Sequence, residues 1–142
     1  MSAGTAPFVD TNILVYAIET DGLDPVKSSR ARELLQGDPV CLSTQVLGEF
    51  YHAVTSPRRS QPLTHEEAAA WIQVWKLHDV SDITLAHVDL ALELKAQAHI
   101  GYYDALILAA ACLASCEVVY SEDLNSGQTI AGVRVQDPFR IA

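Results

Sequence analysis

Short β-favouring runs alternate with capped helical stretches along this chain, a pattern that folds as a parallel sheet covered by helices on both faces. Pro7 to Val9 reads as a buried strand and Asn12 to Glu19 as the helix that follows it. Asp24-Pro25 supplies an N-cap and a first-turn proline for a helix closed by Gly37, with Leu34 and Leu35 facing inward. Val40-Cys41-Leu42 is a second strand, after which Ser43 caps a helix through Gln45 to Val54. Thr64-His65-Glu66-Glu67 is a capping box that starts a helix whose Trp71 and Trp75 read as core or interface. Val80 to Ile83 is a short third strand, and Thr84 caps Leu85 to Ala98, where Asp89 and Glu93 form a solvated stripe. Gly101-Tyr102-Tyr103-Asp104 leads into Ala105 to Ala114, a helix apolar on every side and so central to the core. Glu117 to Tyr120 and Val133 to Val135 complete about five strands.

At 142 residues, 49% hydrophobic and 19% charged, the chain reads as one domain, 1–142, with a core that needs no disulfide or structural metal. Its net charge of −9 argues against a purely electrostatic grip on nucleic acid, so any such chemistry must use local basic patches or bound cations. Met1 to Ala6 lacks the basic start and apolar core of a leader, and no apolar run approaches the roughly 20 residues of a membrane span, so a cytoplasmic protein is expected. Cys41, Cys112 and Cys116 have no paired CxxC spacing and read as small core residues.

The residues that carry chemistry are carboxylates at element junctions. Asp10 follows the first strand, Asp104 opens the buried helix and Asp123 follows the fourth strand. Open α/β sheets bind their ligands at such strand exits. Glu49 lies over a turn into its helix, with a side chain long enough to reach back to the same edge. Taken singly, Asp10 is a helix cap, Asp104 a favourable charge at a helix start, Glu49 an exposed acid and Asp123 a turn residue. Gathered beside a packed core, they repel one another unless a cation neutralises them, and an all-oxygen set favours Mg2+ or Mn2+. Glu122 beside Asp123 leaves the fourth acid open. Thr11, Asn12 and Ser121 are placed either to cap or to support the acids. Lys27 and Arg30 on the second helix, and Arg58 and Arg59 in the loop 57–62, are candidate contacts to a phosphate backbone.

Other sites are weaker. Glu49-x-x-His52 occurs once, where a carboxylate-bridged di-metal bundle needs two such motifs, and the histidines are dispersed. There is no Gly-rich phosphate loop and no nucleophile elbow. A receiver-type phosphoacceptor domain also carries acids on a parallel sheet, but no lysine follows the fifth strand near the acidic edge.

Four stretches in this order resemble the PIN-domain ribonucleases, and within them the VapC-like toxins of bacterial toxin–antitoxin pairs: Val9-Asp10-Thr11-Asn12-Ile13-Leu14-Val15-Tyr16, Ser43-Thr44-Gln45-Val46-Leu47-Gly48-Glu49-Phe50, Tyr103-Asp104-Ala105-Leu106-Ile107 and Tyr120-Ser121-Glu122-Asp123-Leu124. The resemblance implies a three-layer α/β/α domain and Mg2+- or Mn2+-dependent cleavage of RNA phosphodiesters. It carries over Asp10, Glu49, Asp104 and Asp123 as the acidic set, choosing Asp123 over Glu122, with Asn12 and Ser121 at supporting positions. It also implies a partly disordered antitoxin partner that blocks the site, and a homodimer. A non-catalytic PIN-like module that binds a basic protein partner is the contrasting expectation.

Overall fold

The computed structural model describes residues 6–19 and 24–140; the segment 1–5, where no leader is expected, lies outside the described residues. Its elements run β1 (Phe8–Val9), α1 (Thr11–Ala17), α2 (Pro25–Gln36), β2 (Cys41–Ser43), α3 (Thr44–Thr55), α4 (His65–Trp75), β3 (Asp79–Ser81), α5 (Leu85–Ala98), α6 (Tyr102–Leu113), β4 (Val118–Tyr120), β5 (Thr129–Ile130) and β6 (Val133–Gln136). They form an α/β fold around one sheet ordered β3-β2-β1-β4-β6-β5. Neighbouring strands are parallel except β5, which pairs antiparallel with β6.

The sheet has one strand more than the sequence pattern shows. Ile130 pairs with Val133 across a two-residue connection in which Ala131 (φ 52°) and Gly132 (φ 79°) both adopt positive φ. That geometry defines a tight hairpin, normally announced by Asn-Gly or Asp-Gly. Here alanine takes the strained place, so the turn carries no strong compositional mark.

The caps form as the side chains dictate. Asp24 accepts from Lys27 N, Ser43 from Val46 N, and Thr64 closes a reciprocal capping box with Glu67. Thr84 N instead bonds the ring Nδ1 of buried His87. The core lies on both faces of β1, β2 and β4, filled by Phe8, Ile13, Leu14, Leu42, Phe50 and the buried run Ala105 to Ala111 of α6. Trp75 is buried edge-on to Phe50, with Trp71 stacked on it at 5.4 Å. Cys41, Cys112 and Cys116 are free thiols. Among the described residues no helix is long and apolar enough to cross a membrane.

What the topology positions is one crevice. Chain order runs outward from β1 in both directions, through β2 to β3 on one side and through β4 on the other. The two βα connections therefore diverge at β1, and ligands of open α/β sheets bind outside the carboxyl ends of the strands at such a point.

Candidate active site

Register builds the centre of this crevice. Val9 pairs with Tyr120, so Asp10 and Ser121 leave adjacent parallel strands side by side. Asp10 N donates to Tyr120 O at 3.0 Å, and Ser121 Oγ donates to Asp10 Oδ2 at 2.7 Å. The other oxygen, Oδ1, accepts from Thr11 N at 2.7 Å, so Asp10 caps α1 while its carboxylate faces the crevice edge. Both are deeply enclosed, Asp10 at 6% and Ser121 at 0% exposure.

Burial is the main reason the Asp10 carboxyl is pushed up to about 6. The bonds from Ser121 and Thr11 oppose that rise, while the charges of Glu49 and Asp123 add to it. Asp104, on the first turn of α6, is also raised, first by desolvation and then by Asp123 and Glu49. Mutual repulsion thus links all four acids across one rim. None of the four forms an ion pair among the described residues.

Neutral polar groups hold the acids in place. Thr11 Oγ1 donates to Glu49 Oε1 at 2.9 Å, joining α1 to α3. Asn12 Nδ2 donates to Asp123 Oδ2 at 3.1 Å and to Ser121 Oγ at 3.4 Å, while Asn12 Oδ1 accepts from Glu122 N at 3.3 Å. Ser121 Oγ also accepts from Asp123 N and Leu124 N, fixing the turn after β4. In this arrangement the acids ring the rim rather than close into a cage. No three His, Cys, Asp or Glu side chains among the described residues are gathered closely enough to hold an ion as placed.

The doublet after β4 divides its labour. Glu122 turns toward α2, pairing with Lys27 Nζ through one oxygen and accepting from Tyr16 Oη at 2.7 Å through the other. Lys27 Nζ lies 5.4 Å from the Tyr16 ring centre and 5.6 Å from that of Phe139. Asp123 turns the other way, onto Asn12 and toward Asp104.

The candidate RNA contacts are unevenly free. Lys27 is engaged by Glu122, and Arg30 donates to Pro138 O and lies 3.5 Å from Glu33. Arg59 pairs with Glu19 at 3.0 Å with its side chain only 16% exposed, whereas Arg58 is exposed beside it. A cavity of about 390 Å3 opens next to the acids, lined by Thr11, Asn12, Val15, Tyr16, Glu19, Ala53, Glu122 and Asp123. Gln45, Tyr16 and Lys27 hold the acid-bearing elements together through bonds spanning up to 106 residues of sequence, a range no local pattern marks.

Solved structures share this fold. The chain resembles a toxin–antitoxin complex from Klebsiella pneumoniae (TM-score 0.71, 19% identity, covering 96% of this chain and 100% of that one). It also resembles VapC20 of Mycobacterium tuberculosis, a sarcin–ricin loop cleaving toxin (0.65, 19%, 83% and 90%). DNA-bound VapBC from Salmonella typhimurium aligns likewise (0.67, 20%, 94% and 99%). Among proteins of curated function, none matches the chain. The profile of the PIN domain matches residues 8–128, which takes in every acid described above, and the chain belongs to the PIN domain family.

Proposed function

We propose that this protein is a metal-dependent endoribonuclease, the toxin of a toxin–antitoxin pair. One observation carries the reading: Asp10 is a buried carboxylate opposed by the charges of Glu49 and Asp123, with no ion pair of its own among the described residues. Side-chain amides and hydroxyls orient such a group but do not cancel its charge. A hard divalent cation, Mg2+ or Mn2+, does, and the donors present are all carboxylate oxygens of the kind it takes.

In this reading Asp10, Glu49, Asp104 and Asp123 hold the ion. When bound, the ion supplies positive charge to the scissile phosphate and acidifies an attacking water. The chain does the rest. Ser121 and Thr11 keep the Asp10 carboxylate aimed at the rim, and Asn12 keeps Asp123 there. Arg58, the most available of the candidate basic contacts, meets the RNA backbone, while Lys27, Arg30 and Arg59 do so only in competition with their protein partners. RNA as substrate and an antitoxin as partner are supported by the VapC20 and toxin–antitoxin neighbours. A homodimer and a cytoplasmic location are proposed on the family resemblance.

A second reading has its own observation. The absence of a ready-made ligand cage among the described residues fits a non-catalytic PIN-like module whose acidic rim docks a basic protein segment. Incubation of total RNA with Mn2+ and sequencing of the new ends separates the two. Wild type should cut and Asp10→Asn should not. Cleavage that persists in Asp10→Asn or in EDTA refutes the enzyme, and no cleavage with any metal, joined to no Mn2+ binding by calorimetry, favours the module.

A further inference from the structure

Gln45, on the first turn of α3, makes two hydrogen bonds with one nitrogen. Its Nε2 donates to Glu49 Oε2 at 3.1 Å and to the backbone carbonyl of Tyr103, also at 3.1 Å. Tyr103 immediately precedes Asp104 in α6, so a single amide ties the acid of one helix to the turn that carries the acid of another. The remaining oxygen of Gln45, Oε1, has no hydrogen-bond partner among the described residues.

The partners fix which way the amide faces. Turning it over would set Oε1 against a carboxylate and a carbonyl, acceptors both, so Nε2 is the atom presented to Glu49 and Tyr103 together. An ordinary i,i+4 Gln–Glu pair stays on one helix surface, whereas this amide also binds a carbonyl of the second helix.

Both oxygens of Glu49 are then spoken for, Oε1 by Thr11 of α1 and Oε2 by Gln45 of α3. A carboxylate gripped at each oxygen has its plane and direction set. We propose that Gln45 is a positioning residue of the active site, which aims the Glu49 carboxylate and holds it in register with Asp104 through the Tyr103 carbonyl. The role rests on the metal-dependent nuclease reading and extends it to a residue outside the acidic set. Partners that orient a metal-ligating carboxylate typically cost about 10- to 100-fold in metal affinity or activity when removed.

Gln45→Met preserves length and apolar packing and removes both bonds. Calorimetry with Mn2+ alone should show affinity reduced about tenfold relative to wild type, with the thermal midpoint of the metal-free protein little changed. RNA cleavage at limiting Mn2+ should fall about tenfold with KM for RNA within about twofold, and excess Mn2+ should recover most of the rate. A merely structural glutamine would instead lower the thermal midpoint and leave the Mn2+ affinity of the folded protein unchanged, which overturns the proposal. Gln45→Met indistinguishable from an active wild type overturns it too, leaving the nuclease intact. Wild type that neither binds Mn2+ nor cuts RNA overturns the nuclease reading and this role with it.

Discussion

Ser121 donates its hydroxyl proton to Asp10 across 2.7 Å while its oxygen accepts from Asp123 N and Leu124 N. One fully buried hydroxyl therefore aims the first acid and shapes the turn that presents the last. Ser121→Ala should remove both functions. It leaves Asp10 with one fewer donor, so its pKa rises further, and it orphans two backbone N–H groups. We expect a loss of about 1–3 kcal/mol in urea unfolding and at least a tenfold loss of cleavage rate. A variant as stable and active as wild type would show the contact to be incidental.

Asp10 titrates near its ordinary 3.8 in an unfolded chain and at about 6 in the fold. Between those values the folded protein holds a proton that the unfolded chain has released. Stability of the metal-free protein is therefore highest below the unfolded value and falls as pH rises through about 6, by on the order of 3 kcal/mol from this group alone. Asp10→Asn removes that loss but offers one acceptor oxygen where Thr11 N and Ser121 Oγ each use one, which returns about 1 kcal/mol. In EDTA the variant should melt above wild type at pH 7.5 and no higher at pH 4. The expected outcome is a more stable protein that no longer cuts.

The doublet Glu122–Asp123 gives a sharper comparison. Glu122 is held by Lys27 and Tyr16, away from the other acids, and Asp123 by Asn12 toward them. Asp123→Asn should abolish cleavage, whereas Glu122→Gln should retain most of it, since its amide oxygen still accepts from one of Tyr16 and Lys27 and the side chain is turned away from the other acids. Equal losses in a single-turnover assay would contradict this division. Lys27→Met should resemble Glu122→Gln in rate.

Why some of this is legible in the sequence and some is not follows from range. Asp24, Ser43 and Thr64 each bond a backbone N–H three residues on, so spacing alone announces them. Asp10 and Asp104 stand at strand and helix boundaries, where an apolar run breaks. The choice between Glu122 and Asp123 depends instead on Lys27 and Asn12, about a hundred residues upstream, and no periodicity carries that information. Gln45 escaped for the same reason, since its second partner is a backbone carbonyl 58 residues away. The β5–β6 hairpin escaped because Ala131 occupies a positive-φ position usually marked by Asn, Asp or Gly.

The loop after α3 supplies the last prediction, because its two arginines are not equivalent. Arg59 bridges to Glu19 at 3.0 Å and donates to Gln61 O, with its side chain largely covered, so it fastens the loop against the α1 end. Arg58 is exposed, and its described bond is a backbone one, from its N to Ser56 Oγ. If RNA runs over this loop, Arg58→Glu should weaken binding about equally across sequences and lower the salt slope of log K by about 1 or somewhat more. Arg59→Ala should act differently. A partly covered ion pair and a backbone cap are lost, so the loop should become more susceptible to proteolysis, with RNA affinity falling through disorder rather than through charge. Filter binding across a salt series separates the two, since lost charge changes the slope and a disordered loop shifts the intercept. An unchanged slope in Arg58→Glu would remove the loop from the RNA path and leave Lys27 and Arg30 as the remaining candidate contacts.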